Sequence, residues 1–333
     1  GLKADKNCTE LHAAPGNPGI ASLATLHPVA ITDNQAICEL AKKLAVDLVV
    51  VGPEVPLVNG VADVLREAGF AVFGPSKAAA QLEDSKEFAL GVIRDAGVPL
   101  AAQDFDALQG EFSICAICDG RNVIPLQPAQ NFEPDAMGAY SPLPWAPDDI
   151  IEDSYTQVLA PVVAEMAARG TPFIGVLSAT LILTDHGIRV TQLGITFKDP
   201  DVQALIPLLK TPLADLLYKA ATNSLDDTTV QWRDDSAVTV VLAAGGYPES
   251  PQTGSVILNL PNVKETIVFH AGTTRSTAGL VSSGGRVLSV TGIGEDLTEA
   301  RDRAYRAISQ ITLPDSFYRT DIALNASVAE KGN

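Results

Sequence analysis

The residue types and spacings in this chain that could do chemistry are a cysteine pair and two Gly-Pro loops. Cys115-Ala-Ile-Cys118 has the C-x-x-C spacing used for zinc and for redox chemistry. It lies in FSICAICDG, a β-rich run ending in an Asp-Gly turn signal, and residues three apart on a strand face opposite ways. With no second cysteine pair and no neighbouring histidine to complete a tetrahedral set, both thiols read as core residues. His12, His27, His186 and His270 are scattered without metal or triad spacing and read as ordinary surface or core residues. The loops are Gly52-Pro53-Glu54 and Gly74-Pro75-Ser76, each placed directly after a short apolar run.

Those loops need strands to position them. Residues 47–51 form a continuous apolar strand, and Val61, Val64, Leu65 and Ala68 then repeat at i, i+3, i+4 and i+7 on one helix face. Gly69 stops that helix and residues 70–73 make the next strand. Strand, helix and strand within about 30 residues predict a βαβ unit and a parallel sheet. Ligands of such sheets sit outside the carboxyl ends of the strands, where both Gly-Pro loops fall. As bare sequence, Gly-Pro is equally a plain turn signal.

The stretch 101–235 predicts a hairpin at Asp119-Gly120, a polar irregular piece over 130–140 and a proline-rich link, SPLPWAP. A helix with Leu159, Val162, Val163 and Met166 on one face comes next. A second hairpin spans 174–183 and 188–195 around Asp185-His186-Gly187. The stretch 236–333 reads as α+β, with strands in AVTVVLAAGGYP and GGRVLSVTGIG and a helix over Leu297–Ile308.

A length of 333 residues suggests about two domains. The 46% of hydrophobic residues leaves ample material for a core. A net charge of −17 repels polyanions, which argues against nucleic acid and acidic membrane surfaces as partners. No apolar run approaches the roughly 20 residues that span a bilayer, and the first residues lack the apolar core of a secretory signal. Four cysteines are too few for a disulfide scaffold, so a reduced, cytoplasmic protein is expected.

Ordered blocks across the chain carry a resemblance. They are APGNPGIA (14–21), VVVGPEVPLVNGVAD (49–63), FGPSKAAAQLEDSKEF (73–88) and PLQPAQNF followed by MGAYSPLPW (137–145). KDPDVQALIPLLKTPLADLL, VVLAAGGYP, VFHAGT and GGRVLSVTGIG follow, with the pair Ala304-Tyr305 in the closing helix. With them the chain resembles the phosphoribosylamine–glycine ligases, also called glycinamide ribonucleotide synthetases, which are ATP-grasp enzymes of purine biosynthesis. The resemblance implies an α/β and α+β chain in three parts. These are a truncated N-terminal parallel α/β (pre-ATP-grasp) domain over 1–100, a remnant ATP-grasp domain without its lid lobe over 101–235, and a C-terminal α+β domain over 236–333. The reaction it implies joins glycine to 5-phosphoribosylamine through an acyl phosphate made from ATP, with magnesium.

The resemblance also assigns residues. Pro15, Gly16, Asn17, Gly52, Pro53, Glu54, Gly74, Pro75, Ser76, Ser85, Lys86, Met137, Gly138, Ala139 and Tyr140 match the family's nucleotide- or substrate-side motifs. For each the plainer alternative is a turn kept for its backbone, and for Lys86 a solvated helix residue. Other parts depart from the pattern. The chain starts after the family's first strand and glycine-rich phosphate turn, and Phe105 runs through Asp106 and Ala107 into Leu108 where the family inserts its lid lobe. AQNFEPDAMGAYSP has Asn131 for an acid and Glu133-Pro134 for a basic pair. In place of a motif like EFNxRFGDPE stands Gln192-Leu-Gly194-Ile-Thr196-Phe-Lys198-Asp199-Pro-Asp201, so the implied magnesium positions hold Gln192 and Gly194.

These departures fall on clamp, metal and phosphate positions while the framework reads as normal. The expectation is a family member with little or no ligase activity and no metal or cofactor in this form, magnesium and ATP being the family's. Binding of the family's substrates, glycine, 5-phosphoribosylamine and ATP, is expected to be weakened. Two origins suit the pattern: a natural non-catalytic descendant, and a chain deliberately trimmed and edited. The alternative function is a binding or self-associating scaffold on the same framework. A further alternative recruits Glu111, Asp119, Asp199 and Asp201 as ligands of a displaced metal, against their plainer role as surface or turn acids.

Overall fold

The computed structural model describes residues 1–101, 110–132 and 135–330. The junction at Phe105–Leu108 and the Glu133-Pro134 pair lie outside the described residues. In the N-terminal part β1 (His12–Ala13) runs parallel to β2 (Thr25–Leu26). Helix α1 (Asn34–Leu44) follows, with the Asp33 carboxylate accepting from Ala36 N–H at 2.9 Å as its N-cap. β3 (Leu48–Val50), α2 (Glu54–Val58), α3 (Val61–Glu67) and β4 (Ala71–Phe73) make the expected parallel βαβ unit, Leu48 opposite Ala71. The crossover holds two helices rather than one. Gly60, at φ 85°, takes the left-handed conformation that breaks them apart. Among the described residues β1–β2 and β3–β4 are two separate two-stranded sheets. Ser76 and Ser85 then cap α4 (Lys77–Asp84) and α5 (Lys86–Asp95).

The middle part is built on long antiparallel strands. β5 (Glu111–Asp119) turns at Gly120 into β6 (Val123–Pro125). β7 (Gln130–Asn131) and β8 (Gly138–Ser141) come next, where an irregular piece is expected. These residues show no alternation of their own. β8 becomes a strand by pairing with β11, about a hundred residues further along the chain, so tertiary context overrides local signal. Helix α6 (Ile150–Ser154) continues through a π-helical turn at Tyr155–Leu159 into α7 (Ala160–Ala168), which buries Val162, Val163 and Met166. β9 (Ile174–Thr184) and β10 (Gly187–Gly194) form the second expected hairpin, with a bulge between Val190 and Gln192. Helices α8 (Asp201–Leu205) and α9 (Leu213–Ala221) complete this part.

The sheet order is β10-β9-β5-β6, and its two faces bury different partners. Phe112, Ile114, Ala116 and Cys118 join the large core that also holds Val92, Val163 and Met166. Cys115, Ile117 and Val176 pack with Leu216, Leu217 and Ala220 of α9. The two cysteines are thus on opposite faces, as strand alternation requires.

The C-terminal part contains β11 (Ser236–Ala243), β12 (Thr266–His270), β13 (Thr273–Ser276), β14 (Gly279–Ser282) and β15 (Arg286–Gly294). Helices α10 (Leu297–Ile308) and α11 (Leu324–Glu330) end it. Its main sheet, β12-β15-β11-β8-β7, draws strands from both sides of residue 235. Helix α10 lies against β15 so closely that a Cβ on Gly292 would collide with the α10 backbone at Ala300. No helix among the described residues is long and apolar enough to cross a membrane.

Candidate functional site

Three groups of loops carry the residues singled out in the sequence. The first lies at the carboxyl ends of β3 and β4, where Val51 N–H donates to Phe73 C=O at 3.0 Å and sets Gly52-Pro53-Glu54 beside Gly74-Pro75-Ser76. Arg66 of α3 braces this edge by donating from Nη2 to the carbonyls of Val72 (3.1 Å) and Gly74 (2.5 Å). Burial lowers its guanidinium pKa against the opposing pull of Asp63. The second loop also touches β9, because a Cβ on Gly175 would stand 2.9 Å from Pro75 Cδ. Two of the singled-out hydroxyls are occupied by the backbone: Ser76 Oγ accepts from Ala79 N–H at 3.1 Å, and Ser85 Oγ from Phe88 N–H at 3.2 Å. Lys86 is exposed on the first turn of α5.

The second group joins the ends of the chain. Pro15-Gly16-Asn17 follows β1, and Asn17 Nδ2 donates to the His270 carbonyl of β12 at 2.8 Å while its Oδ1 accepts from Ile20 N–H. The His270 ring lies against Gly19, where a Cβ would stand 2.6 Å from Cδ2, and its Nδ1 is 3.0 Å from Thr273 Oγ1. Burial, and then Arg275, lower the His270 pKa and favour the neutral imidazole. Met137, Gly138, Ala139 and Tyr140 sit elsewhere, buried in and beside β8. The Tyr140 hydroxyl donates to Gln130 Oε1 and accepts from Trp145 Nε1 at 3.0 Å. Burial pushes it up to about 12 against the pull of Trp145.

The third group lies on the α9 side of the β10-β9-β5 sheet. Two rungs cross these strands: Ser113, Thr180 and Gln192 face one another in register, and so do Cys115, Ser178 and Gly194. The Lys198 ammonium, on the loop after β10, donates to Thr180 Oγ1. Asp201, fully buried at the start of α8, accepts from the Ser113 hydroxyl. Both charges reach Cys115. Burial first, then Asp201, push its thiol up to about 12, while Lys198 pulls the other way. At the end of β10, Glu83 of α4 accepts from Ile195 N–H at 2.8 Å.

Three family models match this chain: "Phosphoribosylglycinamide synthetase, N domain" over residues 1–83, its "ATP-grasp (A) domain" over 105–202 and its "C domain" over 237–325. A phosphoribosylamine–glycine ligase of Streptomyces coelicolor is 44% identical over 398 residues, covering 98% of this chain and 96% of the relative. The chain belongs to the phosphoribosylamine–glycine ligase family. The ligase of Corynebacterium ammoniagenes is 39% identical over 407 residues, covering all of this chain and 95% of the relative. The crystal structure of the Thermotoga maritima ligase superposes with a TM-score of 0.80 at 23% identity, covering 97% and 96% of the two chains, and so shares the fold. The 398-residue match to the Streptomyces protein exceeds the 333 residues here by 65. At least that many positions of the match have no counterpart in this chain.

Within the phosphoribosylamine–glycine ligase framework, magnesium is the implied metal, and the donor set at the third group does not suit it. Gln192 offers an exposed neutral amide and Gly194 offers no side chain. A Cβ on Gly194 would stand 2.5 Å from Ser178 Oγ and 3.5 Å from Glu83 Oε2, so the position is closely lined by neighbouring side chains. Lys198 places a positive charge on the same rung. The acids proposed for a displaced metal do not converge. Glu111 is exposed, Asp199 pairs with Arg286 at 3.7 Å, and Asp119 is committed to a turn. Among the described residues no three His, Cys, Asp or Glu side chains are grouped to hold a metal.

Sequence reasoning missed Glu83 and His270 as site residues. The signal for His270 was present, since it lies within the block VFHAGT. Nothing in the sequence marks Glu83 as the partner of a backbone amide 112 residues away.

Proposed function

We propose that this chain is a phosphoribosylamine–glycine ligase homologue in which the substrate-side loops persist while the place for magnesium–ATP is closed, leaving little or no ATP-dependent ligase activity. The observation that carries this reading is the Lys198 ammonium on Thr180, beside Gln192 and Gly194. Activating a carboxylate with ATP needs positive charge that is free to engage phosphate oxygens. Here the fixed cation is bound to the Thr180 hydroxyl, and the Ser113 hydroxyl opposite it on the same rung is bound to the buried Asp201 carboxylate.

The substrate side consists of Pro15-Gly16-Asn17 held to His270, with Gly52-Pro53-Glu54 and Gly74-Pro75-Ser76 at the strand ends. Ser85, Lys86 and the β8 segment Met137–Tyr140 complete the proposed set, the last as a buried support. Glycine and 5-phosphoribosylamine are the ligands these loops would take, weakly, in a cytoplasmic setting. We place the three parts at 1–100, 101–235 and 236–333, with β7 and β8 contributed across the second boundary.

The test supplies purified protein with magnesium, ATP, glycine and freshly made 5-phosphoribosylamine, and follows phosphate release and glycinamide ribonucleotide. No release above background is expected, and calorimetric titration with magnesium–ATP is expected to give no heat. Micromolar binding with substrate-dependent phosphate release would overturn the reading. One observation favours a second reading, self-association: β1–β2 and β3–β4 are two-stranded among the described residues, and such small sheets leave strand edges open to another chain. Sedimentation at rising concentration decides it, a monodisperse monomer arguing against.

A further inference from the structure

His12 and His27 stand 15 residues apart in the chain and show no metal spacing, yet the parallel pairing of β1 with β2 brings their rings together. His12 Nδ1 lies 3.1 Å from His27 Nε2, and the ring centroids are 5.3 Å apart. A hydrogen bond at that distance uses one proton between two nitrogens, one ring donating and the other accepting. The same nitrogens are spaced for a metal ion. Imidazole binds zinc at about 2.0–2.1 Å, so neighbouring donors of a tetrahedral ion stand about 3.3 Å apart. Both rings are half-buried, and small turns point both nitrogens at one ion. On the far side of His12 the Glu10 carboxylate stands 3.5 Å from Nε2. A ligating histidine commonly turns its second N–H toward a carboxylate, which fixes the tautomer and raises ligand basicity. Among the described residues no third His, Cys, Asp or Glu joins the pair, so water fills the other positions and the ion exchanges.

The location gives such an ion a consequence. β1 and β2 are two residues each, bonded through Thr25 N–H to Leu11 C=O and His27 N–H to Ala13 C=O, both at 2.9 Å. A two-stranded pair is marginal by itself. The segment it closes, residues 14–24, carries Pro15-Gly16-Asn17, which Asn17 also ties to the His270 carbonyl.

We propose that His12 and His27 form a zinc site that clips the base of this loop, with Glu10 as the orienting carboxylate. Zinc displaces the proton shared by the two rings, which leaves to solvent, and takes both nitrogens as ligands. It holds the loop by binding the paired β1–β2 alone. The site is separate from the β9–β10 hairpin and does not depend on whether the chain makes glycinamide ribonucleotide.

The experiment titrates the full chain, stripped with EDTA and dialysed, with zinc chloride by calorimetry, and follows amide exchange over residues 11–27. Copper(II), which also favours imidazole, reports the donor atoms by electron paramagnetic resonance. The native chain is expected to bind one zinc ion saturably and to give a copper spectrum split by two nitrogens. At zinc about 100-fold above Kd, exchange of the Thr25 and His27 amides is expected to slow about 100-fold. His12→Gln and His27→Gln are each expected to weaken zinc binding by about tenfold or more, and Glu10→Gln by about tenfold. His186→Gln, on the exposed β9–β10 turn, is expected to keep the native affinity. No saturable zinc uptake by the native chain overturns the proposal, as does affinity left unchanged in both His12→Gln and His27→Gln. If neither of those variants folds, the native copper spectrum decides: two nitrogens support the site, and fewer overturn it. Ligase turnover by the native chain would sink the functional reading while leaving this assignment standing.

Discussion

Asp119 separates a metal-ligand role from a structural one, and its replacement by alanine has a magnitude that can be worked out. Its carboxylate accepts from Arg121 N–H (3.0 Å), Asn122 N–H (2.7 Å), Asn122 Nδ2 (3.0 Å) and Leu225 N–H (3.2 Å), tying the β5–β6 turn to the segment after α9. In Asp119→Ala the turn amides regain water at a cost of about 1 kcal/mol, as for a lost cap. Leu225 is buried, and stranding its N–H costs a further ~1–3 kcal/mol. The expected loss is therefore about 2–4 kcal/mol in urea unfolding followed by circular dichroism.

The pH dependence has a definite sign. Burial raises the Asp119 pKa, but the hydrogen bonds from Asn122, Arg121 and Leu225 outweigh it and hold the carboxyl below its ordinary 3.8. Its contribution is complete above that value and is lost as pH falls through the lower folded value. Asp119→Asn should remove this part of the acid sensitivity. A loss under ~0.5 kcal/mol in Asp119→Ala would refute the reasoning, as would an acid profile of Asp119→Asn that matches the native one.

Other outcomes follow from the same geometry. A maleimide added to the native protein should label Cys8 first, because Cys38, Cys115 and Cys118 are buried and burial raises the latter two thiols. Prompt labelling of Cys115 would contradict the packing against α9. Asn17→Ala should cost about 1 kcal/mol and speed amide exchange over 14–20, since it cuts the side-chain tether to His270. Exchange unchanged there would show that the loop is held otherwise. Tyr305→Phe should cost about 1–2 kcal/mol, because its hydroxyl donates to Arg319 C=O at 2.7 Å and accepts from Ile322 N–H at 3.2 Å. A variant that unfolds at the native urea midpoint would count against that anchor.

Elements that close on themselves were legible without coordinates. The α10 segment shows its acidic cap at Asp296 and buries Leu297, Ala300, Ala304, Ala307 and Ile308 on one stripe, so its bounds agree with the pattern. The hairpins at Asp119-Gly120 and Asp185-His186-Gly187 carry their own turn residues, and alternation places Cys115 and Cys118 on opposite faces. The division of the first crossover into α2 and α3 was less legible, because Gly60 reads as readily as a tolerated glycine within one helix. β7 and β8 were not legible at all, since β8 is drawn into the sheet by the β11 edge and β7 by β8.

The same division runs through the site. The sequence by itself determined membership, the loop residues at the strand ends and the residue types at 192, 194 and 198, because residue identity and local order need no partner. Only the tertiary structure decided what surrounds those residues. It hangs Lys198 from Thr180, seats Asp201 on Ser113, brings Glu83 to the Ile195 amide and holds Asn17 to His270. The physical reason is range. Propensity and periodicity act over a few residues, whereas charge compensation and hydrogen bonding act over a few ångströms between segments that are tens to hundreds of residues apart in the chain.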